Sequence, residues 1–383
     1  MSSHHAALLP PGFADLLPPR AEQEAELTDT LMALYRAHGY ERVKPPLIEF
    51  EDTLLGDKNS GMGPHTFRLM DPLSGRMLAL RADITVQMTR IAATRIADWP
   101  RPLRLAYAGQ AVRQSSSEHR PERQFGQVGI ELLGAAQPEA DAEAIGLACR
   151  SLDALGVGAS TLDLSLPTLI PALCKSLRLD PETEAALRHA LDRKDRAAVE
   201  KIGGPAADIA TQLLRLSGGI EPALDGLQRL SLPDEAQAEY RHLLAVWNII
   251  SAMKLSQQIT LDLVEHRGFE YQTGLSFTLF ADERGIELGR GGRYRSRPVG
   301  GSGDGEPATG FTFYSENLLA AVPEPAQKER LYLPYGTDIA LAEQYRQKGF
   351  VTIAALMPDG DASGAAKTLR CTHILHNNQA VKL

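Results

Sequence analysis

Residues Gln124 to Gly134 read Gln-Phe-Gly-Gln-Val-Gly-Ile-Glu-Leu-Leu-Gly. In an extended strand, alternate side chains point to opposite faces. Phe125, Gln127, Gly129 and Glu131 then share one face, and Val128, Ile130 and Leu132 share the other. The second set is apolar and is expected to pack against helices. The first sets an amide and a carboxylate about 13 Å apart along the backbone. Gly129 between them has no side chain and leaves room for a small molecule to approach. One acceptor, one amide and a central gap suit a small polar ligand that bears a cation. The competing reading is a half-exposed edge strand with ordinary polar residues on its wet side.

Other candidate groups lie on either side. In Arg81-Ala-Asp83-Ile-Thr85 a strand runs into a helix, and Asp83 can either cap that helix or meet a ligand. Arg113, Arg120 and Arg123 surround a polar loop and can clamp a phosphate or carboxylate, or simply be solvated. The run Gly289-Arg-Gly-Gly-Arg-Tyr294 lacks the strand–turn–helix setting of a dinucleotide site and is not a P-loop. Cys149, Cys174 and Cys371 are far apart and odd in number, which argues for a reducing compartment and against structural zinc. The ten histidines are scattered, so no metal and no cofactor are expected. Net charge is −8 with no basic block, so the footprint of a polyanion binder is missing. No apolar run approaches the roughly 18 residues of a membrane span, and the start lacks the build of a secretory signal. A cytoplasmic protein is expected.

These groups must be positioned by a chain of 383 residues, 43% hydrophobic and 23% charged, enough for one large domain or two. After a proline-rich stretch at 10–20, Leu27, Leu31, Leu34 and Tyr35 form an apolar helical stripe over 21–38, ended by Gly39. Residues 40–50 read as a strand that Pro45-Pro46 confines to an edge or interface. Residues 66–70 and 77–81 alternate around Asp71-Pro-Leu-Ser-Gly75 and predict a hairpin. A strand from 103 to about 113 pairs antiparallel with the Gln124 strand, and Pro138 opens a helix to 155. Residues 161–166 form a strand. From about 178 to 255 the texture is helical and reads as an insertion. Strands resume at 259–264, after 267 and at 309–313. Pro323-Glu-Pro-Ala is a linker to a small α/β unit. The expected domains are 1–322 and 323–383.

Antiparallel strands, a hairpin, a proline-bearing interface strand and a helical insertion resemble the class II aminoacyl-tRNA synthetase core. The fold class is therefore expected to be α+β, an antiparallel sheet flanked by helices. More narrowly, residues 8–321 resemble histidyl-tRNA synthetase. Tyr40 to Glu49 matches the dimer-forming first motif, with Pro46 as its proline. Arg113 and Gln124 to Glu131 match the second motif, and Arg267-Gly-Phe-Glu-Tyr271 is similar to the histidine-specific Arg-Gly-Leu-Asp-Tyr signature. The resemblance implies that Asp83, Thr85 and Gln127 receive an α-amino group. It places Glu131 and Tyr271 at an imidazole and Arg267 at the substrate carboxylate, with Arg113 beside them.

The resemblance fails on the ATP side. Ser115 stands where that family has a carboxylate, Asn317 where it has the arginine for the γ-phosphate, and Gln272 at the signature's second tyrosine. The tail is short for an anticodon-binding domain. An amino-acid pocket without a complete nucleotide site, and the segment Arg81-Ala-Asp-Ile-Thr85, resemble the regulatory subunits of ATP phosphoribosyltransferase. That likeness implies a non-catalytic, self-associating subunit that joins a short-form catalytic subunit, binds histidine as feedback effector and binds no tRNA. The alternatives are an active histidyl-tRNA synthetase of divergent form, and a paralogue with another ligand or a tRNA-modifying role.

Overall fold

The computed structural model describes residues 8–55, 63–115, 122–265, 272–281, 285–297, 304–324, 328–358 and 360–383. The chain divides into two compact units, residues 1–323 and 324–383. Among the described residues no helix is long and apolar enough to cross a membrane, and no group of three or more His, Cys, Asp or Glu is placed to hold a metal.

In the first unit, helix α1 (Arg20–Ala37) buries Leu27, Leu31, Met32 and Tyr35, close to the stripe read from sequence. Gly39 follows at φ +83°, in the left-handed region that glycine enters without strain. The expected strand over 40–50 is split into β1 (Glu41–Arg42) and β2 (Ile48–Phe50). Pro45 and Pro46 have no N–H to give a ladder, so pairing stops on both sides of them. Strand β1 pairs in parallel with β5 (Leu103–Val112). Strand β2 joins the hairpin β3 (Arg68–Met70) and β4 (Met77–Leu80) in a small sheet of order β2-β4-β3. The Asp71 carboxylate accepts from the Leu73 and Ser74 N–H groups and fixes the hairpin turn.

The main sheet has order β1-β5-β6-β12-β11-β10-β7-β9-β8, nine strands among the described residues. Its members after β5 are β6 (Gln124–Leu133), β7 (Ser160–Ser165), β8 (Gly218–Gly219), β9 (Gln258–Asp262), β10 (Gln272–Ala281), β11 (Ile286–Ser296) and β12 (Glu306–Tyr314). Strand β6 is paired on both sides, to β5 and β12. The edge-strand reading of Gln124–Leu133 is therefore overturned, because β12, some 180 residues later, covers the flank that local sequence leaves open. The region read as helical throughout carries five helices between residues 181 and 250 but also holds β8, two glycines paired to β9. The glycine-rich run 289–294 is part of β11, where Gly289 and Gly291 lie against Phe313, Phe277 and the carbonyls of β12.

Each face of β6 has its own core. Val128, Ile130 and Leu132 pack with Leu31 and Tyr35 of α1 and with Ile145 and Leu152 of α4 (Pro138–Ala154, α2 and α3 being given below). On the opposite face Ile84, Met88 and Ala92 pack on Leu103, Leu105, Tyr107, Leu133 and Tyr294. Met88 and Ala92 belong to helix α3 (Thr85–Thr94), which thus roofs the face that carries Gln127 and Glu131. Helix α2 is the short Glu51–Leu55 turn before the hairpin.

The second unit is a four-stranded sheet of order β14-β13-β15-β16. Its strands are β13 (Arg330–Leu333), β14 (Val351–Ala354), β15 (His373–His376) and β16 (Gln379–Lys382). The first three are parallel and the last is antiparallel. The helix Ile339–Gln347 links β13 to β14, and Ala362–Thr368 links β14 to β15. They cover opposite faces, one packed with Leu331, Leu333 and Leu375, the other with Tyr332 and Cys371.

Gly129 gives a direct test of this packing. A Cβ there would run into the Phe311 carbonyl oxygen and come to 2.7 Å from the Tyr107 hydroxyl. A backbone carbonyl in a paired strand cannot step aside, so Gly129→Ala should cost about 1–3 kcal/mol, as overpacking does. Chemical denaturation measures it, and a variant as stable as the parent would show that the sheet opens here.

Candidate functional site

The antiparallel register aligns three rows across β5, β6 and β12. Gly109, Gln127 and Tyr314 form one row, Tyr107, Gly129 and Thr312 the next, and Leu105, Glu131 and Gly310 the third. Gln127 and Glu131 are buried under α3, at 0% and 2% exposure, so this face is dry rather than wetted.

Gln127 has both ends of its amide in use. Its Oε1 accepts from the Ile84 N–H at 3.0 Å, and its Nε2 donates to Asp83 Oδ2 at 3.0 Å. Asp83 Oδ1 accepts from the Thr85 N–H at 2.8 Å. One oxygen of Asp83 therefore fills the capping role read from sequence at the turn into α3, and the other faces the sheet. Gln127 acts on the site chiefly by holding that turn against β6.

Glu131 lies deeper. Tyr294 Oη donates to its Oε2 at 2.8 Å, and the hydroxyls of Thr85 and Tyr107 also bond to it. Burial pushes its pKa up to about 8, against the lowering effect of those hydroxyls and with a further upward push from Asp83. Space for the carboxyl group exists because its row neighbour is Gly310, whose Cβ would overlap Glu131 Oε2. Tyr107 Oη lies 2.5 Å from Thr312 Oγ1 and 3.4 Å from Thr85 Oγ1. That hydroxyl occupies the space over Gly129. The gap expected there for a ligand is thus filled by a side chain from the neighbouring strand.

Arg81 holds the site from behind, buried at 6% exposure. It donates to Gln110 O at 2.7 Å, to Pro45 O at 3.1 Å and to Gln87 Oε1 at 3.3 Å. Burial lowers its pKa, opposed by the nearby charges of Glu49 and Asp83. Arg113, at the end of β5, is half-buried with its guanidinium 4.9 Å from the Phe125 ring centre and its Nε 3.4 Å from Ala82 O. It therefore borders the Asp83 turn. Arg123 borders Arg113, with its Nε 3.4 Å from Arg113 O, but its guanidinium is engaged elsewhere. Its Nη1 donates to Pro11 O, and its guanidinium sits about 5 Å from the rings of Phe13 and Phe67. Arg120, Arg267 and Tyr271 lie outside the described residues.

The structure thus brings together Asp83, Thr85, Gln127 and Glu131, with Arg113 at their border. Sequence reading missed Tyr107, Tyr294 and Thr312, which complete the hydroxyl lining. Tyr107 and Thr312 do sit at alternate positions of amphipathic strands, yet only the cross-strand register tells that they meet at Gly129. Two further positions singled out in the sequence are also placed. Asn317 Nδ2 donates to Glu287 O at 2.6 Å, and Ser115 Oγ lies 3.0 Å from His65 Nδ1.

A family model described as histidyl-tRNA synthetase matches residues 12–318. Among solved structures, histidyl-tRNA synthetase from Nostoc sp. superposes with a TM-score of 0.81 at 20% identity, covering 97% of this chain and 91% of that one. A Bacillus halodurans protein described as an ATP phosphoribosyltransferase regulatory subunit/histidyl-tRNA synthetase gives 0.80 at 23% identity, covering 96% and 97%. These likenesses define a class II synthetase-like fold of the histidyl type. Among curated relatives, the ATP phosphoribosyltransferase regulatory subunit of Rhodospirillum centenum is 49% identical over 96% of this chain and 94% of its own length. That of Paramagnetospirillum magneticum is also 49% identical, over 97% of both chains. The chain belongs to the family of ATP phosphoribosyltransferase regulatory subunits.

The raised pKa of Glu131 makes stability depend on pH with a definite sign. Between pH 4.5, its ordinary value, and about 8, the folded chain keeps a proton that the unfolded chain loses. Stability then falls as pH rises, by at most about 1.4 kcal/mol per pH unit. Glu131→Gln is neutral at every pH and lacks this slope. Its unfolding free energy relative to the parent should therefore rise from pH 5 to pH 8. Parallel pH profiles would mean that the carboxyl group is already ionised in the folded protein.

Proposed function

We infer that the chain is the non-catalytic, histidine-binding subunit of ATP phosphoribosyltransferase and conveys feedback inhibition by histidine to a short-form catalytic subunit. The observation that carries this reading is the buried set Asp83–Gln127–Glu131 beneath α3. Its carboxyl groups and hydroxyls are arranged for an ammonium and an imidazole N–H, and it sits in a fold shared with histidyl-tRNA synthetases. Asp83 has lone pairs left for an ammonium, Glu131 accepts from imidazole, and by family resemblance Arg267 takes the carboxylate while Tyr271 faces the ring. On this reading residues 1–322 are the ligand-binding domain, with the insertion at about 178–255, and 323–383 are a separate small domain.

The same reading makes the chain incompetent in adenylation. A leaving pyrophosphate needs a fixed cation where its charge develops, and losing one such group typically costs 10²–10³ in rate, about 2.7–4 kcal/mol. Asn317 offers a neutral amide whose Nδ2 is already bonded to the Glu287 carbonyl, and Ser115 cannot replace a carboxylate. Self-association is proposed through the segment 40–50, where Leu47 and Ile48 are 41% and 39% exposed. No tRNA partner is proposed, in keeping with the net charge of −8.

Three outcomes are expected. Calorimetry should show histidine binding with net proton release near pH 7, because a bound cation favours the ionised form of Glu131. Arg267→Ala should weaken that binding by about 1.5–3 kcal/mol, the worth of a charge-assisted hydrogen bond, and an unchanged affinity would place the carboxylate elsewhere. Pyrophosphate exchange with histidine should be absent. Exchange at an ordinary enzymic rate, from protein free of contaminating synthetase, would instead make the chain an active histidyl-tRNA synthetase.

A further inference from the structure

Strand β2 and the second half of helix α3 line a cleft of about 410 Å³, within the range of small-molecule sites. Alternate side chains of β2 take opposite faces of the small sheet. Ile48 shares one face with Leu78 and Leu69, and both Ile48 and Leu69 are 39% exposed. That face is apolar and suits contact with a second copy. Glu49 takes the other face, across from the fully buried Ala79, and only 7% of its side chain is exposed. The cleft opens beside Glu49, and its polar lining sets it apart from the apolar face.

Charge in the cleft is unbalanced. Among the described residues its lining holds three cations, Lys44, Arg90 and Arg95, and one carboxylate, Glu49. Glu49 Oε1 accepts from Arg90 Nη2 at 2.5 Å and from Gln87 Nε2 at 2.7 Å. Its Oε2 and the Nε of Arg90 are both buried and have no partner among the described residues. Leaving such groups unanswered costs about 1–3 kcal/mol each. One ion pair thus keeps an acceptor and a donor in reserve. A hydroxyl group is the simplest group that can answer both, since it donates through its hydrogen and accepts through its oxygen.

Lys44 precedes the proline pair, and Arg95 follows the last turn of α3. Both are exposed, and neither side chain pairs with an acidic group among the described residues. With Arg90 they offer more positive charge than the one committed carboxylate can offset, which suits a dianion. Guanidinium groups match the oxygens of phosphate, and a phosphate ester carries about −1.5 to −2 charges at pH 7. A nucleic-acid backbone fits poorly, because Glu51 and Asp52 of α2 follow directly along the chain and break any basic track. A second copy fits the apolar face of the sheet better than a cleft whose walls are charged. The molecule that satisfies every group is small, doubly negative and hydroxylated.

We propose that this cleft binds a small phosphorylated polyol, with the phosphate on Lys44, Arg90 and Arg95 and a hydroxyl group on Glu49. The site stands apart from the histidine-binding reading above and does not depend on it. Calorimetry of the full chain with glycerol 3-phosphate, glucose 6-phosphate and propyl phosphate tests it. Propyl phosphate has the charge and carbon count of glycerol 3-phosphate without its hydroxyl groups. At least one of the two polyol esters should bind saturably, one per chain, and at least about tenfold more tightly than propyl phosphate, the worth of a hydrogen bond to a charged group. Lys44→Ala with Arg95→Ala should weaken that binding at least about tenfold. Both side chains are exposed, so the double variant should melt as the parent does. If it does not, the propyl phosphate comparison on the parent decides. Polyol esters that do not bind overturn the proposal, as does propyl phosphate binding equally well or a folded double variant with unchanged affinity. Loss of self-association in the double variant, with no ester bound by the parent, assigns the cleft to a second copy and overturns it as well.

Discussion

The amide of Gln127 ties the turn before α3 to the central strand of the main sheet. Through it the Ile84 N–H and the Asp83 carboxylate, which belong to a loop, are held at fixed positions over β6. An unpaired polar group at this depth would cost about 1–3 kcal/mol. The row survives burial because each member answers another. Around it the hydroxyls of Tyr107, Tyr294, Thr85 and Thr312 take up the remaining polar demand. The row is thus a satisfied polar layer between two apolar cores.

Desolvation is the cost of that arrangement, and its sign matters. In a polar setting Glu131 would be ionised at neutral pH. Here burial outweighs the hydroxyls that favour its charged form, and the group is left mostly protonated. Such a group responds to small changes in local charge. Arg81 shows the opposite solution to the same problem. Its charge is spread over three oxygens, two of them backbone carbonyls that cannot move away, so it serves as a strut.

Much of this was legible in sequence wherever the signal is periodic. The α1 stripe, the hairpin around Asp71, the alternation of Gln124–Leu133 and the helical texture after residue 180 all rest on neighbours close in the chain. What sequence could not supply came from distant strands. Whether the polar face of β6 is wet or dry depends on β12 and on the roof made by α3. The occupant of the space over Gly129 depends on Tyr107 lying directly across from it in β5. The proline pair at 45–46 was correctly read as hostile to a ladder and confined to an edge: it cuts the strand in two, and both pieces lie at the edges of their sheets. Arg123 shows how a charge in a loop can be claimed by the far end of the chain, here Pro11 and Phe13.

The peptide unit of Arg81 stands between two parts of the molecule. Its N–H donates to Leu47 O at 3.0 Å, and its carbonyl accepts from the Val112 N–H at 2.9 Å. Two residues later comes Asp83. The exposed strip at 47–48 and the acceptor that meets Gln127 are thus ends of one short connection that runs past a buried arginine. Asp83 and Leu47 are joined by the short stretch of backbone from Arg81 to Asp83 and a single hydrogen bond.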